Sequence, residues 1–281
     1  MTYTDQATHE NNVADAAQIL RDRMGDFFPK LALILGSGIG GFSEEINDAI
    51  SVSYSDLPGF PTLAVEGHTG EVVIGKIGNT DILCLKGRKH LYETHDFTPL
   101  KTLIRTMQAI GIETMFSTSA SGSLRTNMQP GSIMAIADHI NFMGINPLIG
   151  PNDDTFGPRF PAMDNAWDAD LRASLHKAAK DIDVHLDEGV YIGFRGPTFE
   201  TPAEIKMAQV LGADAIGMSS VPECILARHC GMTMIGCAVI TNLGAGLSDE
   251  KLSHDHTLEG AKLATENLTR LIKHFISNYV D

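Results

Sequence analysis

The chain has 281 residues, of which 43% are hydrophobic and 20% charged, enough apolar material for a sizeable core and too much for a disordered chain. It carries 35 acidic residues against 21 basic ones, a formal net charge of −14. A field of that sign repels polyanions and excludes nucleic acid and anionic membrane as partners, but not a small anion held in a locally positive pocket.

The chain opens on a helical pattern with Val13, Ala17, Leu20 and Met24 on one face. Leu31 to Leu35 is a continuous apolar run, the mark of a buried strand. Further strands are expected at Val72 to Ile77, Ile82 to Leu85, Thr114 to Ser117, Ile133 to Ala137, Val190 to Phe194, Ala213 to Ile216 and Thr233 to Ile240. Helices are expected between them. Thr98 caps one that begins with Pro99 and stops at Gly111. Leu171, Leu175, Ala178 and Ile182 form the stripe of a second. Thr201-Pro-Ala-Glu204 and Ser220-Val-Pro-Glu223 read as capping boxes for two more, ending at Gly212 and Gly231. A last helix turns Leu258, Ala261, Leu268, Leu271, Ile272 and Phe275 inward.

This alternation predicts an α/β fold, a single domain over residues 1–281 with a mixed central β-sheet flanked by helices. Gly144 to Trp167 is the longest aperiodic stretch, of the kind that is functional or interfacial. The cysteines Cys84, Cys224, Cys230 and Cys237 form no Cys-x-x-Cys pair. They are expected to be buried thiols of a cytoplasmic protein, without a zinc site. The polar start, Thr2 to Asn12, predicts no secretory signal, and no apolar run approaches the roughly 20 residues of a membrane helix.

Small-residue and charged turns follow several strands. Gly36-Ser-Gly-Ile-Gly-Gly41 follows the first strand, where free N–H groups can hold an anion. Its spacing departs from the dinucleotide fingerprint by an extra glycine, and Asp56, about twenty residues on, lies in a turn rather than at a strand end. A tight turn without a ligand is the other reading. Gly87 to His95 gathers Arg88, Lys89, His90, Tyr92, Glu93 and His95. Arginine offers a planar fork to phosphate oxygens, and a neighbouring carboxylate orients a histidine. His68 sits in a glycine-flanked turn, and Ser119 to Ser123 reads as another small-residue turn. Ser219 stands where a strand gives way to a helix N-terminus, a natural phosphate position. Phe199 and Glu200 precede a helix, an aromatic beside a carboxylate that suits a heterocycle. Asn242, at the end of the last strand, offers a donor and an acceptor to a base edge.

Taken in order, these segments resemble the trimeric-type purine nucleoside phosphorylases. The matching stretches are Gly36 to Gly41, Gly87-Arg-x-His-x-Tyr-Glu93, Asp138-His-Ile-Asn141, Asn146 to Asp153, Arg159-Phe-Pro-Ala-Met163, Gly196-Pro-Thr-Phe-Glu-Thr201, Gly212 to Ser219 and Thr241-Asn242. They span nearly the whole chain. The resemblance implies a pentosyltransferase of purine salvage that splits a purine ribo- or deoxyribonucleoside with phosphate, reversibly, into free purine and the 1-phosphosugar. It implies a phosphate pocket of Ser37, His68, Arg88, His90, the Ala120 backbone and Ser219. Tyr92, Met218 and Tyr191 would lie along the sugar, His254 at its 5′-hydroxyl, and Phe160 would come from a neighbouring subunit of a homotrimer. Phe199, Glu200 and Asn242 would bind the purine. Asn242, Glu200 and His90 are the residues expected to act on the reaction itself.

No cofactor and no metal are implied, phosphate being a co-substrate. The asparagine at 242 points to the 6-oxopurines inosine and guanosine, with xanthosine or 5′-methylthioadenosine as the alternative. Two departures stand out. Ser119-Ala-Ser-Gly-Ser-Leu-Arg125 replaces the family's Asn-Ala-Ala-Gly-Gly-Leu-Asn. The sugar histidine is His254 by its spacing to Leu258 but His256 by count from Asn242, and the former is preferred.

Overall fold

The computed structural model describes residues 3–36, 40–63, 69–94, 96–248 and 253–279, with backbone alone at 3–8, 40 and 254–256. Helix α1 (Tyr3–Met24) leads into β1 (Leu31–Ile34), β2 (Asn47–Ser53), β3 (Glu71–Ile77) and β4 (Thr80–Lys86). Then come α2 (Thr98–Ala109), β5 (Thr114–Ser123), β6 (Ile133–Asn141), α3 (Ala169–Asp181) and β7 (Asp187–Gly193). The chain closes with α4 (Pro202–Val210), β8 (Ala215–Gly217), α5 (Val221–His229), β9 (Thr233–Leu243) and α6 (His254–Ser277).

The strands form one mixed sheet in the order β2-β3-β4-β1-β5-β8-β7-β6-β9, and β9 also pairs with β5. Five strands therefore close on themselves, and β1, β4, β3 and β2 extend from them as an open wing. The β1–β4, β1–β5, β5–β9, β6–β7 and β7–β8 pairs are parallel, the rest antiparallel. One apolar layer joins the sheet to α1, α2 and α5, and a second joins it to α3 and α6. The α/β class and mixed sheet are as the periodicity implied. All four cysteines are free and buried, and burial pushes the Cys84, Cys230 and Cys237 thiols up to about 12, 11 and 12.

Four expectations need correction. Strand β2 escaped the periodicity because Asn-Asp-Ala-Ile-Ser-Val-Ser is an edge segment with mostly exposed side chains. Ser119 to Ser123 is not a turn but the second half of β5. It runs beside β9 from Ser119↔Ala238 to Ser123↔Leu243, with an irregularity at Ser121/Gly122, and meets β8 on its other side. Small side chains permit that crowding. Thr98 does not cap α2. It lies inside the first turn, and its N–H is taken by the Asp96 carboxylate at 2.8 Å. The box at Ser220 is absent too, since its side chain makes no capping bond. The box at Thr201 is real: Glu204 N–H donates to Thr201 Oγ1 at 3.2 Å and Thr201 N–H to Glu204 Oε2 at 2.7 Å.

Between β6 and α3 the long aperiodic segment contains no regular element. Buried Trp167 anchors its end, donating to His139 Nδ1 at 3.0 Å. On the α1–α2 side, His9 is 2% exposed with Nδ1 3.0 Å from the Thr102 hydroxyl, and its Nε2 is buried without a partner among the described residues. Burial, then Arg105 and Lys101, lower its pKa from 6.5 to about 4. The folded state thus refuses a proton that the unfolded chain accepts between those values. The stability carried by neutral His9 is full above pH 6.5 and is lost as pH falls toward 4. Equilibrium unfolding at pH 7.5 and pH 5.0 should show a smaller acid loss for His9→Gln than for the parent; equal losses would rule the histidine out as a source.

Candidate active site

A cavity of about 430 Å³ opens where β1, β5, β8 and β9 end and where the segment after β4 begins. Its walls include Gly36, Arg88, His90, Tyr92, Ala120, Phe199, Glu200, Met218, Ser219 and Asn242. Residues far apart in the chain are thus brought to one place at strand ends, the usual position for a ligand in such a sheet.

Arg88 follows β4 and is 2% exposed. Its Nη2 donates to the carbonyls of Thr118 at 2.6 Å and Ile34 at 3.2 Å, and its Nη1 to Ser220 Oγ at 3.2 Å. Its Nε lies 3.6 Å from the carboxylate of Glu223, itself buried in the first turn of α5. A buried guanidinium needs such compensation. Two residues on, the His90 ring stacks on Tyr92 with centroids 4.8 Å apart. Glu93 Oε1 accepts the His90 backbone N–H at 2.7 Å and lies 3.4 Å from Nδ1, so the carboxylate fixes the loop and the ring together.

Across the cavity, Thr241 Oγ1 is 2.8 Å from Asn242 Oδ1, and Asn242 Nδ2 donates to the Leu243 carbonyl at 3.0 Å. Gly122 on β5 leaves the room this amide needs, since a Cβ there would stand 3.1 Å from Nδ2. Glu200 precedes the capped start of α4. Its Oε1 is buried without a hydrogen-bond partner among the described residues. Burial raises its pKa; its own backbone N–H offsets part of this and the charge of Glu204 adds to it. A cavity-lining carboxylate without a partner is ready for a ligand donor. Phe199 beside it is 39% exposed, at the solvent side of the wall.

Not every expected residue lines this cavity. Tyr191 is fully buried behind it, its hydroxyl accepting the Ser219 N–H at 3.2 Å. The Ser219 amide is therefore already engaged, and only its side chain is left for a ligand. Phe160 is 87% exposed and borders a different cavity with His139, Asn146 and Arg159, away from this chain's own site. Ser37, His68 and His95 lie outside the described residues, as do the side chains of His254 and His256 at the start of α6. Thr257, one residue further, does line the cavity. The sequence reading missed Thr257, and also Ser220 and Glu223 as partners of Arg88, because their spacing fits a helix cap equally well. Among the described residues no cluster of His, Cys, Asp or Glu could hold a metal ion.

Residues 30–277 match the family profile of the phosphorylase superfamily. The chain is 43% identical to purine nucleoside phosphorylase 1 of Geobacillus stearothermophilus over 266 residues, 95% of this chain and 97% of that one. The chain belongs to the purine nucleoside phosphorylase family. Against the family member of Mus musculus it is 39% identical over 275 residues, covering 95% and 94% of the two chains. Two solved structures of the Schistosoma mansoni purine nucleoside phosphorylase superpose on it. The one in complex with inosine has a TM-score of 0.91 at 30% identity, covering 96% of this chain and 97% of that one. The one in complex with adenosine has a TM-score of 0.90 at 31% identity, covering 96% and 98%. The family's fold therefore accounts for the cavity at the strand ends, and the glycine-rich sequence after β1 belongs to a phosphorylase rather than to a dinucleotide-binding protein.

Proposed function

We propose that this chain catalyses the reversible phosphorolysis of purine ribo- and deoxyribonucleosides, with inosine and guanosine preferred. The observation that carries this reading is the meeting, in one cavity, of a buried arginine with a carboxylate and a primary amide. Arg88, His90, the Ala120 backbone and Ser219, with Ser37 and His68, hold phosphate. Tyr92, Met218 and His254 contact the sugar, with Tyr191 supporting Ser219 and Phe160 supplied by a neighbouring copy in a homotrimer. Phe199 packs on the purine, while Glu200 and Asn242 hydrogen-bond its edge.

In the reaction the bond from C1′ to N9 breaks, and a phosphate oxygen bonds to C1′. Positive charge develops on the ribose and negative charge on the purine. Phosphate stabilises the first from one face of the sugar. Asn242, donating to N7, stabilises the second, a contribution made mostly in the transition state, while Glu200 at the N1/O6 edge accepts the N1–H and orients the base. No protein nucleophile, metal or cofactor enters this scheme. The whole chain acts as one domain, and the buried thiols favour a cytoplasmic setting.

Inosine, guanosine, adenosine, xanthosine and 5′-methylthioadenosine assayed with and without phosphate test the reading. Base release from inosine and guanosine should require phosphate. Preference for xanthosine or methylthioadenosine would reassign the base, and absence of any phosphate-dependent release would remove the activity.

A further inference from the structure

Ser220 has φ +64° and ψ −36°, a left-handed conformation rare outside glycine. The Val221 N–H reaches back to the Ser219 carbonyl at 2.7 Å across it, closing a tight three-residue turn. Such turns are strained, and strain of this kind persists where the surroundings impose it. Glycine would relieve it, yet the residue is serine and its hydroxyl does not cap α5. Instead Oγ accepts from Arg88 Nη1 at 3.2 Å and lies 3.0 Å from Ser117 Oγ. The turn sends two adjacent serines to opposite sides. Ser219 faces the cavity, and Ser220 faces the guanidinium.

The consequence for Arg88 follows from its five N–H groups. Both on Nη2 have acceptors in the Thr118 and Ile34 carbonyls. The one on Nε is buried 3.6 Å from the Glu223 carboxylate without a hydrogen bond, and one on Nη1 goes to Ser220. With Nε buried against Glu223, the second N–H on Nη1 is the one left for an anion. We propose that Ser220 is a positioning residue for anion recognition: held by the strained turn, its hydroxyl fixes the Arg88 guanidinium so that this one remaining N–H points at phosphate. Arg88 then binds the anion through one hydrogen bond rather than through its fork. The inference rests on the phosphate-pocket reading above.

Three variants, Ser220→Ala, Ser220→Gly and Arg88→Ala, are compared by steady-state kinetics, by calorimetric titration with inorganic phosphate alone, and by thermal unfolding. Both serine variants should raise the KM for phosphate and weaken phosphate binding roughly tenfold, the scale of one charge-assisted hydrogen bond. The KM for inosine should stay within about twofold. Their stabilities should differ, with Ser220→Gly unfolding at a higher temperature than Ser220→Ala because glycine removes the strain. A merely structural serine would make the phosphate defect track stability, and that result overturns the proposal. So does phosphate binding unchanged in both serine variants while Arg88→Ala loses it. If Arg88→Ala itself leaves phosphate binding intact, the phosphate pocket is misplaced and the inference falls with it.

Discussion

Replacing Asn242 by alanine should lower the turnover of inosine phosphorolysis by about a hundredfold or more, on the scale of ~3–4 kcal/mol for one preorganised hydrogen bond to developing charge. The amide is suited to that task because it is already ordered. It is 8% exposed, its Oδ1 lies 2.8 Å from the Thr241 hydroxyl, and its Nδ2 meets the Leu243 carbonyl. Little reorganisation is then needed as the purine accepts the electron pair of the breaking bond. The loss should fall on kcat, with the KM for phosphate nearly unchanged, because Asn242 stands on β9 while Arg88 follows β4. Near-normal turnover of inosine in this variant would withdraw Asn242 from the leaving-group role.

The second large effect is expected at Gly260, on the face of α6 that packs against β9. A Cβ placed there would lie 2.7 Å from both Cα and the carbonyl carbon of Thr241, and closer still to its oxygen. Helix propensity alone favours alanine over glycine by roughly 1 kcal/mol inside a helix. The contact here is with backbone, which cannot rotate away, so either α6 lifts or β9 shifts beside Asn242. Overpacking of this kind costs about 1–3 kcal/mol, occasionally more. Gly260→Ala should therefore lower the thermal midpoint by several degrees and reduce kcat together with stability. A higher midpoint with unchanged kcat would show that helix and strand separate without disturbing the site.

Gly260 also marks a limit of legibility. In the sequence it is one glycine inside a long helical pattern, with nothing nearby to say that a strand backbone passes beneath it. Ser220 is similar. Ser-Val-Pro-Glu is a faultless local signal for a capping box, and the same four-residue signal at Thr201 is obeyed. At Ser220 it is overridden by Arg88, 132 residues earlier, whose buried charge needs an acceptor more than the helix end does. Ser119 to Ser123 misled for a related reason. Small polar residues mark turns when exposed, but between two neighbouring strands they are what the packing allows.

The amino-acid sequence by itself determined the alternation of strands and helices, the buried faces, the long aperiodic segment and the chemical inventory of the site. Periods of two and 3.6 residues, and motifs of a few adjacent residues, are local properties. The chain's charge of −14 also repels a polyanion while leaving room for a small anion. Tertiary structure alone decided that five strands close on themselves, that Arg88 is buried with three of its five N–H groups bonded to protein acceptors and its Nε set 3.6 Å from Glu223, and that Tyr191 stands behind the cavity rather than in its wall. Those outcomes depend on which distant groups compete for the same donors and the same space, and that competition exists only once the chain has folded.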